Sequence, residues 1–270
     1  MKTMKQLIDF DRQFNEYMDN WAEELLKQGK KPEEIEELIP QTYADWMKKA
    51  SAYFAQVEDS ELIAMLGAYL DEEISVPDAL SERVVSLPGS EQALYAMFQQ
   101  EDRSDSDRIF LMNLLSDMDS LLPVQNYIRL ICKNENPELA DAAAEALKYM
   151  GTEASAAVLE AYEEEQEPEA KERLMYVLVY CEPVPENLAE KLILLMKQSK
   201  NKALIAGFMA AYGDDQCLEA LHQAENARDI SYIDYVEICD AIEALGGETA
   251  RDREFDGDEY YEMIHNGGLE

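Results

Sequence analysis

Two histidines, four cysteines and an acidic C-terminal stretch are the side chains in this 270-residue sequence whose types could do chemistry. A nucleophilic triad needs a base beside its nucleophile, so only His222 and His265 could serve. His222 falls mid-helix on the polar side of Leu218 and Leu221, the place of a surface residue. His265 lies in a glycine-containing terminus expected to fray. The sequence contains no GxSxG, GxxxxGK[ST], GxGxxG or HExxH motif. Cys132, Cys181, Cys217 and Cys239 are 49, 36 and 22 residues apart with no CxxC pair. That is too sparse for a disulfide scaffold and wrongly spaced for zinc. They read as reduced thiols acting as small hydrophobes in helices. No catalytic residue, cofactor or metal is expected.

Carboxylates are the remaining candidates. Asp252, Glu254, Asp256 and Gly257 match positions 1, 3, 5 and 6 of an EF-hand loop, but Met263 stands where a bidentate glutamate is required. Glu262 is one residue out of register, so the stretch reads as a solvated linker before a short helix, Tyr260 to Ile264. Carboxylate pairs can serve acid–base catalysis, yet among 58 acidic residues adjacency alone carries no information. The densest run, Glu163-Glu164-Glu165-Gln166-Glu167, closes one helix. Acid there opposes the helix macrodipole, which makes the run a candidate binding feature.

The 58 acidic and 23 basic residues give a net charge of −35. With 47% hydrophobic residues the chain can still bury a core, unlike a disordered polyacid. A nucleic-acid binder carries a basic footprint, the opposite sign. The charge is unevenly shared. Residues 1–50 hold 8 basic and 11 acidic groups, and residues 51–270 hold 15 and 47. The longest relevant apolar run, Leu174 to Cys181, is far below the roughly 20 residues that span a bilayer. Lys2 and Lys5 are followed by Asp9, Asp11 and Arg12, which break any signal-peptide core. A cytoplasmic protein is expected.

The elements that must position these residues are helices. Leu7, Phe10, Phe14, Tyr17, Trp21 and Leu25 recur at helical spacing up to Gly29, and Tyr43, Trp46, Ala50, Tyr53 and Val57 do likewise. Trp21 and Trp46 then face each other as core. Only Tyr176 to Tyr180 has a local strand preference. A period of 31 residues overrides it: Ala146, Val177 and Phe208 recur at that interval, as do Ala143, Leu174 and Ile205. Asn136-Pro137 and Glu167-Pro168 open successive first helices, where proline's missing N–H costs nothing. Asn136 adds a capping side chain. Second helices follow at Ala154 to Glu165, Glu186 to Gln198 and Asp214 to Glu225. Tyr149, Tyr180 and Tyr212 recur near the ends of first helices. They either pack in repeat junctions or line a contact surface.

A helix pair cannot bury its apolar stripe alone, so such pairs stack into a continuous core. The expected architecture is an all-α solenoid. The 31-residue pairs with proline entry, an alanine-rich first helix and a terminal glycine resemble short HEAT repeats, of the variety shared with phycobilisome-lyase-like proteins. Glu138 and Glu169 stand where that pattern commonly has arginine or lysine, and no motif for bilin transfer is visible. The resemblance implies a HEAT-like solenoid and little about function. The chain divides into an N-terminal helical cap (1–58), a degenerate helical repeat (59–104), HEAT-like repeats (105–248) and an acidic tail with a short helix (249–270).

The function expected is a non-enzymatic interaction scaffold, monomeric, binding neither nucleic acid nor membrane. In a HEAT-like stack the second helices line the concave face. Their polar positions here are Glu160, Glu163, Glu164, Glu190, Lys191, Glu219, His222 and Gln223. Five of the eight are acidic, which favours a basic protein partner. The alternative is an acidic inhibitor or immunity-type protein that neutralises a basic toxin or nucleic-acid-binding protein. A helical-repeat glycosylase or lyase is the less favoured enzyme reading. Phe208 is expected in the core, and Glu145→Gln, as an exposed change, within about 0.5 kcal/mol of neutral.

Overall fold

The computed structural model describes residues 7–249 and 253–265. All regular structure among them is helical, and it clusters into two units, Met1–Leu122 and Pro123–Glu270. No helix among the described residues is long and apolar enough to cross a membrane. Lys2 and Lys5 lie outside the described residues.

The first unit contains α1 (Phe10–Lys27), α2 (Pro32–Glu36), α3 (Ile39–Phe54), α4 (Asp59–Asp71), α5 (Asp78–Val85), α6 (Ser90–Phe98) and α7 (Asp105–Asp117). Asp9 caps α1 by accepting the Arg12 N–H at 2.9 Å, satisfying a donor with no partner inside the helix. Gly29, at φ +87°, turns the chain out of α1, a conformation open to glycine without strain. Ser104 caps α7 through the Asp107 N–H. Leu62, Leu66, Tyr69, Leu80, Leu94, Leu111 and Leu115 are fully buried and form the core. The Tyr69 hydroxyl donates to the Ile8 carbonyl at 2.8 Å, which pins the segment before α1. Arg83 donates to the Phe54 and Val57 carbonyls at the end of α3 and pairs with Asp59. Positive charge at a helix C-terminus is favourable against the macrodipole. Trp21 and Trp46, expected as core, are half-buried. Trp46 packs on Phe14 and Tyr17, and its indole N–H donates to the Phe10 carbonyl at 3.2 Å.

The second unit contains α8 (Val124–Lys133), α9 (Pro137–Tyr149), α10 (Gly151–Glu164), α11 (Pro168–Tyr180), α12 (Ala189–Gln198), α13 (Lys202–Tyr212), a 3-10 turn (Asp215–Cys217), α14 (Leu218–Glu225), α15 (Tyr232–Ala244) and α16 (Glu259–His265). Asn136 caps α9 by accepting the Leu139 N–H, and prolines open α9 and α11. The first helices α9, α11, α13 and α15 pack in succession, while α8 packs on α9, α10 and α11. Ala146, Val177 and Phe208 are buried on three consecutive members of that row. The β-branched run from Tyr176 is helical because Val177, Leu178 and Val179 are all buried in α11. Burial on several faces outweighs its local strand preference.

Cys181, Cys217 and Cys239 are buried and Cys132 is half-buried, all as free thiols. Burial pushes the Cys132 and Cys217 thiols up to about 11. Only the thiolate is alkylated. At pH 7.5 iodoacetamide should therefore label these two about a hundredfold more slowly in the folded protein than in urea. Mass spectrometry of timed aliquots checks this, and native labelling at the unfolded rate contradicts it.

Candidate functional site

The acidic second-helix residues stand on α10, α12 and α14 of the second unit. Glu160, Glu163, Glu164, Glu190, Glu219 and Gln223 are exposed. Lys191 reaches from α12 to Glu163 on α10 at 2.7 Å, and its hydrogen bond and charge hold that carboxyl below the usual range. Gln223 donates to Glu219 within α14. The only cation of the set is thus already tied to one of its acids.

His222 belongs to a different constellation. Its Nδ1 lies 3.1 Å from Glu225 Oε2, and that carboxylate is buried. The other oxygen, Glu225 Oε1, accepts from the Cys239 thiol at 3.7 Å. The carboxylate therefore sits between the imidazole and the thiol. In a nucleophilic triad the imidazole occupies the middle and takes the proton, so this order does not activate Cys239. Arg253 closes the cluster, donating to the Glu225 carbonyl at 2.9 Å and lying 4.8 Å from the Phe255 ring centre. His265, expected to fray, instead stacks on Tyr261 at 4.2 Å. Asp258 caps α16 and accepts the Tyr232 N–H at 3.0 Å, which fastens the tail to the start of α15.

In the calcium-like stretch, Asp252 lies outside the described residues. Glu262, the acid nearest the required twelfth position, accepts the Gly257 N–H at 3.1 Å. Among the described residues no three His, Cys, Asp or Glu side chains are placed to share a metal ion.

The first helices carry a feature that the spacing did not reveal. A groove of about 370 Å³ runs along α8, α9, α11 and α13. Its floor includes Ala140, Ala144 and Phe208, and Leu204 projects from α13 with 37% of its surface exposed. Asp141 and Glu169 form an exposed acidic rim. Glu172 also lines the groove but accepts from the buried Ser199 hydroxyl at 2.6 Å. The one arginine present, Arg173, donates to the Ile131 and Cys132 carbonyls at 2.7 and 2.8 Å. These belong to the last turn of α8, whose carbonyls lack helical partners. With Arg173 so committed, the groove offers an apolar floor and negative edges. Leu204, an apolar residue one position off the Ile205–Phe208 stripe, is the signal that could have marked it.

Beside the groove, Lys148 is 8% exposed. Its ammonium donates to Glu145 at 2.7 Å and to the Tyr176 hydroxyl at 3.1 Å, and that hydroxyl donates to Glu145 at 2.9 Å. Burial pushes the Glu145 carboxyl up, but the hydrogen bonds from Lys148 and Tyr176 outweigh it and hold it below the usual range. Burial pushes the Lys148 ammonium down, and the same contacts raise it above the usual lysine range. Of the recurrent tyrosines, Tyr149 and Tyr180 are exposed, while Tyr212 accepts the Leu188 N–H.

The first unit has a roomier cleft of about 960 Å³, bordered by Asp71, Asp102, Ser104 and Asp107. Arg103 pairs with Asp71 at 2.8 Å, lies 3.9 Å from Asp107 and donates to Gln100. No known protein family, curated protein or solved structure matches the chain.

Proposed function

We propose that this chain is a cytoplasmic, non-enzymatic interaction scaffold built of HEAT-like helix pairs, and that it binds a basic protein partner. The groove along α8, α9, α11 and α13 carries this reading. An apolar floor edged by Asp141 and Glu169 suits a segment that presents both aliphatic and cationic side chains. The acidic second-helix residues, from Glu160 to Gln223, provide a second negative surface that steers such a partner towards the protein.

The test begins with affinity capture of the partner from native lysate, and association rates are then measured at low ionic strength. Asp141→Lys with Glu169→Lys should slow association at least about tenfold, and raising the salt should slow the wild type too. Glu160→Lys, Glu163→Lys and Glu164→Lys together should give a smaller reduction, with helicity unchanged in both variants. Association indifferent to salt and to both sets overturns the proposal.

A further inference from the structure

We infer that the α1–α3 hairpin is the face on which a second copy of this chain docks. The seam between the two helices is aromatic: Phe14 lies 5.2 Å from Tyr43, and Tyr17 stacks on Trp46 at 5.3 Å. One end of the seam is sealed, with Ala50 and Phe54 fully buried where α3 packs on α5. The other end is open. Tyr17, Ile39 and Tyr43 are 39%, 38% and 42% exposed, and Phe10 is the only buried residue among the 18 of α1. Two helices side by side have apolar stripes wide enough to need a third layer. Tyrosines on an open apolar face are a composition that protein interfaces favour.

Charge selects the occupant. A two-fold interface sets one patch against its own copy, so that patch must be close to self-neutral. Together α1 and α3 carry 4 basic and 6 acidic groups, a net of −2 out of the chain's −35. Arg12–Glu16, Lys27–Glu23 and Lys48–Asp45 pair within the hairpin itself. Lys49 lies 4.0 Å from the Trp46 ring centre, its charge directed onto the aromatic face. A basic partner gains little from this nearly balanced surface, and a second copy meets little repulsion there. The net charge of −35 is the physical case for the monomer expected from sequence. That case does not extend to the hairpin. At 1.5 Å per residue α1 and α3 run for about 27 and 24 Å, long enough for a paired four-helix contact.

Sedimentation equilibrium of the full chain tests this, over a concentration series at low and high salt. The mass should rise from 30.8 kDa towards twice that value with concentration. Salt screens the repulsion between the acidic remainders, so the dimer should tighten as salt rises, opposite in sign to the basic-partner complex. Tyr17→Lys and Tyr43→Lys replace exposed residues, and each should weaken the dimer at least about tenfold with the circular dichroism unchanged. Tyr43→Phe should leave it intact. A mass of 30.8 kDa at every concentration in high salt overturns the inference. So does a dimer that both lysine variants leave unaltered.

Discussion

Phe208→Ala should lower the stability of the protein by about 3–5 kcal/mol, the usual cost of emptying a large aromatic site in a packed core. Phe208 is 3% exposed on α13, and its ring centre lies 6.3 Å from that of Tyr176 on α11. Its loss removes burial and contact between two members of the first-helix row. The measurement is the midpoint of urea unfolding, with the dependence on denaturant unchanged if the native state stays compact. An unmoved midpoint means that the row does not hold the second unit together.

Glu145→Gln should cost about 1 kcal/mol, above the 0.5 kcal/mol expected from sequence: the Glu145 side chain is 54% exposed, so solvent screens the pair, but the substitution strips the carboxylate from a mostly buried ammonium. Glutamine keeps an acceptor for the Tyr176 hydroxyl but leaves the Lys148 charge without a counter-ion. A double-mutant cycle with Lys148→Met isolates the pair. The pH dependence follows from the directions of the two shifts. Glu145 is depressed, so its contribution is full above the unfolded carboxylate range near 4.3 and fades as pH falls through its folded value. Lys148 is raised, so its contribution is full below the unfolded value near 10.4 and fades as pH rises through the folded one. The difference between wild type and Glu145→Gln should therefore be flat across neutral pH and shrink on acidification. A variant that unfolds at the wild-type midpoint at pH 7 contradicts the assignment.

The helices were legible because their signals are local. Proline entry at Pro137 and Pro168, the Asn136 cap and the spacing of Ala146, Val177 and Phe208 each depend on one turn or one stripe. Trp46 and His265 were placed less well, one too deep and the other too loose. Periodicity shows which side of a helix is apolar, not whether a third element covers it. Nor does it reveal that Asp258 and Tyr232 fasten the tail from 26 residues apart. Glu145 is exposed as its place on the helix implies, but its partner Tyr176 is 31 residues away, on the next first helix, and no local pattern shows it. The acidic second-helix residues stand on α10, α12 and α14, but the Lys191–Glu163 pair and the pairing of His222 with Glu225 depend on rotamers that spacing does not show. The groove escaped notice because Leu204 lies beside the stripe rather than on it.

Arg173 carries a consequence for how the second unit comes apart. A row of helix pairs that touch only their neighbours can open from either end, one pair at a time. Arg173 instead joins α11 to the last carbonyls of α8 across 41 and 42 residues of chain. Detaching α8 would strand a guanidinium and two carbonyls, and detaching α11 would do the same. The stretch from α8 to α11 should therefore open as one unit, with Arg173 as a latch against stepwise fraying from that end.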